Sequence, residues 1–272
     1  MEPFALAQPS TPPGLPVALT GVQVLPPKGL NNSIYLDLNH FSQHTAWAHG
    51  FMHTYALWLG PVLLAAVFVA TYAVAWWRRA PRAPALLLLG GIGTLVALGL
   101  NQLVGHAAKE LRPYVAHPNA IVLVAKANDY AFPSDHSVVA GGLTLSILLV
   151  LGSATWRRHA RRGAPEEGAT GRSVPGVVRV LAAANLVLGL FLCFARVYVG
   201  AHYPGDVVAG YLLAAAVVLG VSLLRPLAFW TVAVVDPTVL GNLLRRPGAV
   251  ATGGDPVPEP RLRPVPVSDP QG

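Results

Sequence analysis

Charge is what this chain has least of. Only 11% of its 272 residues are Asp, Glu, Lys or Arg, against 53% hydrophobic, less than half the charged share of a soluble globular protein. That scarcity excludes a chain disordered throughout and a coiled coil, both of which depend on charged residues. Cysteine is almost missing. Cys193 stands alone, which excludes a disulfide scaffold, and its place in an apolar run reads as a small core hydrophobe. The opening Met1-Glu2-Pro3 has no basic stretch followed by a short apolar one, so no cleavable signal is expected and the first span is expected to direct insertion.

What the chain has instead is long apolar runs. Five of them, at about 61–77, 85–105, 138–155, 177–194 and 207–224, are each long enough to cross a ~30 Å hydrocarbon core as a helix. The fold class read from this is all-α, a polytopic membrane helix bundle of about five transmembrane helices. Residues 34–52 are expected to add an N-terminal interfacial helix with Ile34, Leu38, Phe41 and Trp47 toward lipid. Residues 1–33 are a Pro-rich, flexible segment by composition, 34–246 the membrane domain, and 247–272 a Pro-rich tail read as disordered. Residues 226–235 are too short to cross and are broken by Asp236-Pro237, so they are expected to lie on the inner surface.

The net charge of +7 raises the question of a nucleic-acid partner, and the placement of the basic residues answers it. Arg78, Arg79 and Arg82 follow the first span. Arg157, Arg158, Arg161, Arg162, Arg172 and Arg179 surround the gap between the third and fourth, and Arg225, Arg245, Arg246, Arg261 and Arg263 follow the fifth. These fourteen share one side of the membrane, leaving Lys28, Lys109, Arg112, Lys126 and Arg196 on the other. The positive-inside rule makes the richer side cytoplasmic and the C-terminus internal. The basic charge therefore reports topology, and no nucleic acid is required.

Both outer connections are dense in polar residues, which are costly to keep at the mouths of apolar helices and mark a functional site. The first carries Lys109-Glu110-Leu111-Arg112-Pro113 and then Phe132-Pro133-Ser134-Asp135-His136-Ser137; the second carries Arg196 and then His202-Tyr203-Pro204-Gly205-Asp206. Pro133 and Pro204 are placed as first-turn prolines, putting His136 and Asp206 in the first turns of the third and fifth spans. Two helix N-termini then face outward, where free N–H groups favour an anion, and Arg112 and Arg196 add planar cationic forks suited to phosphate. His202 stands just before its helix with Asp206 in reach. Such a pairing fixes the imidazole tautomer and stabilises the imidazolium, which suits His202 to attack phosphorus. His136 is left to protonate the departing oxygen. His49 and His53, spaced i,i+4 without a nearby carboxylate or thiol, read as a helix face and not as a metal pair.

These blocks resemble the signature of the type 2 phosphatidic acid phosphatase superfamily: Lys-x6-Arg-Pro, Pro-Ser-Gly-His and Ser-Arg-x5-His-x3-Asp. The resemblance covers roughly residues 50–230. It implies Arg112, Ser134 and Arg196 as phosphate ligands, His136 as general acid, and His202 as a nucleophile forming phosphohistidine with Asp206 as its partner. It also implies a mechanism with no metal and no cofactor. Three positions depart from the pattern. The family lysine falls at Gly105, and Lys109, one helical turn on, is the candidate to replace it. Ala195 stands for the serine before Arg196. Asp135 stands for glycine and joins the phosphate-binding set, with Lys109 or Lys126 expected to hold its carboxylate.

Phe-Pro-Ser-Asp-His and Arg-Pro-Tyr-Val-Ala-His at 112–117 look like the bacitracin-resistance-type undecaprenyl-diphosphate phosphatases. That likeness implies a polyprenyl diphosphate lipid as substrate, hydrolysed to the monophosphate in a bacterial plasma membrane with the site facing outward. His117 and Lys126 are then candidates to meet the second phosphate. Gly90, Gly91, Gly93, Gly141 and Gly142 offer room for the lipid chain, although helix packing explains them as well. Phosphatidic acid or phosphatidylglycerophosphate as substrate, and a non-catalytic lipid-binding or transport protein, are the alternatives.

Overall fold

The computed structural model describes residues 29–77, 83–152, 174–224 and 226. Among the described residues, each apolar run read from the sequence falls on a helix. Helix α1 spans Leu30–Gln43; after a 3-10 turn at Ala46–Ala48, α2 (His49–Thr54), a π-helical turn at Tyr55–Leu59 and α3 (Gly60–Trp77) follow one another. Then come α4 (Ala83–Ala108), the single turn α5 (Pro113–Ala116), α6 (Asp135–Gly152), α7 (Val174–Tyr198) and α8 (Pro204–Ser222). Five helical stretches are long and apolar enough to cross a membrane: Ala46–Trp77, Ala83–Ala116, Asp135–Gly152, Gly176–Tyr198 and Pro204–Ser222. This is the five-span all-α bundle expected, with no strand among the described residues. All the arginines read as cytoplasmic except Arg179, the 226–235 segment beyond Pro226, and the Pro-rich ends lie outside the described residues.

Helix α6 sits in the middle and packs on α4, α7 and α8. With lipid outside, helices gain little by hiding apolar surface from one another, so close backbone approach and buried polar pairs hold the bundle. A Cβ at Gly141 would strike the Tyr211 backbone, one at Gly142 the Thr94 side chain, and one at Gly90 Ser146. The space that the glycines suggested for a lipid chain is therefore filled by neighbouring helices. Thr144 donates to Asn185 Oδ1 (2.9 Å), and Asn185 donates on to the Leu64 carbonyl (3.2 Å), pinning α6, α7 and α3 at one depth.

The interfacial helix read over 34–52 is corrected in two respects. It begins at Leu30, inside the segment read as flexible, and stops at Gln43, where Thr45 Oγ1 donates to the Phe41 carbonyl (2.9 Å) and the His49 ring donates to the Ser42 carbonyl (2.9 Å). The residues from 46 onward belong to the first span. Ile34, Phe41 and Trp47 are exposed as expected, but Leu38 is not among them. It shares the i, i+3, i+4, i+7 face of Tyr35, Asn39 and Ser42, and packs with Tyr35, Val197, Tyr203 and Val207. That buried face ties α1 to both of the connections that carry the motif residues. Asn39 donates to the Ile121 carbonyl and accepts from its N–H (2.8 and 3.1 Å), and Asn31 Oδ1 accepts from the N–H of Gly205 (2.7 Å).

Candidate active site

Helix termini place the polar residues. α4 ends at Ala108, Lys109 turns into the left-handed region (φ 53°), and Arg112 is extended just before Pro113 opens α5. Ser134 lies immediately before α6, and its carbonyl accepts from the N–H groups of Ser137 and Val138 (3.1 and 3.0 Å). The Ser134 N–H donates to the Asp206 carbonyl (3.1 Å), joining the starts of α6 and α8. Pro133 thus precedes its helix by two residues, whereas Pro204 is the first residue of α8 and Asp206 the third. Between Arg196, in the last turn of α7, and His202 the chain reverses at Gly200 (φ 78°). A Cβ there would come within 2.5 Å of the Ile121 carbonyl, so conformation and space both demand glycine.

His202 is at the centre and is 2% exposed. Its Nδ1–H donates to the Ala131 carbonyl (2.8 Å), which leaves Nε2 as the acceptor atom. Arg112 Nη1 lies 3.3 Å and Arg196 Nη2 3.2 Å from that Nε2. Burial, followed by the two guanidiniums, holds the imidazole well below its ordinary value, so it is neutral with its lone pair available. Asp206, fully buried, accepts the Tyr203 N–H (2.8 Å) and lies 3.5 Å from His202 Nδ1. The expected His202–Asp206 pairing is present only as a 3.5 Å approach, and the hydrogen bond that sets the tautomer goes to Ala131. Asp206 is drawn away from the ring by the N–H at the start of its own helix.

His202 and the two arginines line a cavity of about 270 Å³ together with His136, and Leu57 and Val124 supply apolar surface. Arg196 reaches the Ala56 carbonyl in the π-helical turn (3.5 Å), and its Nε is buried without a partner, as are Ser134 Oγ and Asp206 Oδ1. Buried donors left unpaired are costly unless an acceptor completes them. Two guanidiniums, the N-terminus of α6 and a free hydroxyl form a donor set that fits an anion with several oxygens.

The structure thus gathers Arg112, Ser134, His136, Arg196, His202 and Asp206 at one place, and Asp135 with them. It does not bring Lys109. Helical periodicity continued from Gly105 would bring Lys109 to the face of Arg112, but α4 ends at Ala108, and Lys109 is exposed and does not line the cavity. Nor does Lys109 or Lys126 hold Asp135. Asn101 and Gln102, a turn before Gly105, donate to its Oδ1 (2.7 and 2.9 Å), while Lys126 lies over the Tyr114 ring. His117 is stacked on Tyr35 and bonded to Asn32 Oδ1 (2.7 Å), away from the cavity. His49 is spent on the end of α1, and no group of three or more His, Cys, Asp or Glu is placed to hold a metal among the described residues. Two participants went unread in the sequence, the Ala131 carbonyl and Asp129, whose carboxylate grips Arg112 at Nε and Nη2 (2.7 and 2.9 Å). A backbone carbonyl has no sequence signal, and Asp129 lies in a connection without periodicity.

The profile of the PAP2 superfamily matches residues 84–230, which spans α4 to α8 and every residue of the cavity's polar wall. An undecaprenyl-diphosphatase of Bacillus subtilis, BcrC, is 29% identical over 167 residues, covering 59% of this chain and 70% of that protein. An undecaprenyl-diphosphatase of Sulfolobus acidocaldarius is 26% identical over 122 residues, 45% of this chain; the chain spans about half of that relative's length (47%). Among solved structures, a transmembrane PAP2-type phosphatidylglycerolphosphate phosphatase from Bacillus subtilis aligns with a TM-score of 0.46 at 18% identity. That alignment covers 72% of this chain and 87% of that one.

Proposed function

The chain belongs to the PAP2 superfamily and is a multi-pass membrane phosphatase, and from that premise we propose that it hydrolyses undecaprenyl diphosphate to undecaprenyl phosphate and inorganic phosphate through a phosphohistidine on His202. The observation that carries the reading is the state of His202: neutral, its Nδ1–H fixed on Ala131, and its Nε2 turned to two arginines. Nε2 attacks the terminal phosphorus while Arg112, Arg196, Ser134 and the first turn of α6 take the phosphoryl oxygens. The bond from that phosphorus to the bridging oxygen breaks, and the lipid monophosphate departs with a proton from His136, which takes that proton up as the anionic diphosphate binds and enters the step as the imidazolium. Asp206, 3.5 Å from the ring, offsets the positive charge that develops on it. Water then attacks the phosphohistidine and gives its proton to His136. Inorganic phosphate leaves, and His202 is neutral again.

The undecaprenyl diphosphate assignment draws on the named relatives, and the cavity agrees with it in size. At about 270 Å³ it lies below the ~300–1,000 Å³ of pockets that enclose a whole ligand, so it suits a polar head while the chain stays outside. With the Arg-rich connections cytoplasmic, the site faces outward from a bacterial plasma membrane, and the phosphatase domain occupies about 30–246, its start moved from 34 by the helix that begins at Leu30. Cysteine labelling of loop positions 118–128 from outside intact cells tests that orientation.

The assay that tests the substrate compares undecaprenyl diphosphate and phosphatidic acid side by side in detergent, with and without EDTA. The expected result is a higher kcat/KM on the diphosphate, unchanged by the chelator. Equal or faster turnover of phosphatidic acid overturns the substrate assignment, and strict dependence on a divalent ion overturns the mechanism.

A further inference from the structure

The Arg112 guanidinium has two bidentate edges, and in this structure they are used differently. Its side-on edge, Nε and Nη2, is closed by both oxygens of Asp129 (2.7 and 2.9 Å). Its Nη1 is turned inward, to the Ala201 carbonyl (3.0 Å) and to Nε2 of His202 (3.3 Å). A phosphorus attacked by Nε2 must lie beside Nη1, so the edge that meets phosphate is the one that Asp129 leaves open. We propose that Asp129 is a positioning residue for the phosphatase reaction: its carboxylate fixes the side-on edge of Arg112 so that the end-on edge addresses the phosphoryl group at His202. The inference rests on the proposed role of His202 and Arg112.

The electrostatics explain why such a residue is needed. Arg112 and Arg196 direct like charges at a single lone pair, and the two guanidiniums repel each other when no phosphate lies between them. A counter-charge on the far side of Arg112 keeps it inward in the empty site. Asp129 can do this without closing the cavity because its own side chain is 59% exposed, while that of Arg112 is 10% exposed. Solvent screens the exposed carboxylate, but Arg112 is buried, so loss of Asp129 also leaves a buried guanidinium without its counter-charge and lowers stability to some extent. Its loss is expected to appear in phosphoryl binding and turnover beyond what it costs in folding. The other carboxylate beside the site, Asp135, is turned to Asn101 and Gln102 and makes no bond to Arg112.

The test uses the full chain in detergent, with vanadate as a probe of the phosphoryl site read by thermal shift, and kcat and KM measured on undecaprenyl diphosphate. Asp129→Ala and Asp129→Asn are expected to weaken vanadate binding and lower kcat by 10-fold or more, up to the ~100-fold that a displacement of about 1 Å costs. KM is expected to change less than kcat, and the melting temperature without vanadate to fall by no more than a few degrees, since only one partner of the pair is buried. Asp129→Glu, which keeps a bidentate carboxylate, recovers part of the loss. In an Arg112→Lys background, which has no fork to orient, Asp129→Asn has no further effect on vanadate binding.

Tighter vanadate binding in Asp129→Asn would show that the carboxylate competes with phosphate, and unchanged binding would show that it is idle; either overturns the proposal. So does a loss of binding in Asp129→Asn that persists in full in the Arg112→Lys background, since the loop and not the guanidinium would then be disturbed. A wild type that binds vanadate in an Asp129-dependent way yet leaves undecaprenyl diphosphate intact would sink the substrate assignment and support the positioning role.

Discussion

At Gly210, helix α8 comes close against the start of α6, and Gly210→Ala should separate them. A Cβ at this position would lie 2.6 Å from the Ser134 carbonyl oxygen and 3.3 Å from both the Ser134 nitrogen and the Ser137 Cβ. An ordinary carbon–oxygen contact is roughly 3.3 Å or longer, so the two backbones must part by about 0.7 Å. Neither can yield alone, because the Ser134 N–H is bonded to the Asp206 carbonyl (3.1 Å). Overpacking of this kind costs about 1–3 kcal/mol, partly masked by the ~1 kcal/mol that alanine gains over glycine within a helix. Gly220→Ala isolates that gain. It lies in the same helix with nothing within 4 Å of the added Cβ, so the difference in stability between the two variants is the packing cost. The same shift carries Ser134 and His136 away from His202, and a displacement approaching 1 Å lowers kcat/KM on the order of 100-fold. Denaturation in detergent and turnover of undecaprenyl diphosphate are the two measurements. If Gly210→Ala proved as stable as Gly220→Ala and as active as the wild type, the coupling of these two helix starts would be refuted.

The remaining predictions concern His202 and Lys109. Because the folded protein holds the His202 imidazole well below its ordinary 6.5, the unfolded chain binds a proton below that pH which the folded chain refuses. Stability is full above 6.5 and falls as the pH drops beneath it. Melting curves from pH 8 to 5 should therefore slope less in His202→Gln than in the wild type, and identical slopes would contradict the assignment. Lys109→Ala, exposed and off the cavity wall, is expected to leave kcat/KM on undecaprenyl diphosphate within about twofold, as surface changes remote from a site do. A selective loss on the diphosphate would restore Lys109 to the site.

The spans were legible because a bilayer imposes a length and a composition that no neighbouring residue can override. The motif residues were legible for a related reason, since arginine, histidine and aspartate at the mouths of apolar helices have few purposes other than chemistry. Extrapolation along a helix past its end was not reliable. Lys109 was placed by periodicity from Gly105, and a single left-handed residue removed it. Leu38 falls with Ile34 and Phe41 on a face expected toward lipid, yet it packs with Tyr35, Val197, Tyr203 and Val207. The Asp135 partner was sought among cations, while neutral amides of α4 satisfy the carboxylate. Asp129 and the Ala131 carbonyl act through contacts between connections distant in sequence, which only the folded chain brings together.

The central claim is that Nε2 of His202 becomes covalently phosphorylated, and rapid quenching with substrate labelled in its terminal phosphate tests it most directly. The account predicts a labelled protein whose phosphate is stable to alkali and lost in acid, mapped to His202, absent in His202→Ala, and accumulating in His136→Ala if that side chain serves the hydrolysis of the intermediate. Robust turnover by His202→Ala, or a wild type that releases inorganic phosphate with no labelled protein at any quench time, would contradict it.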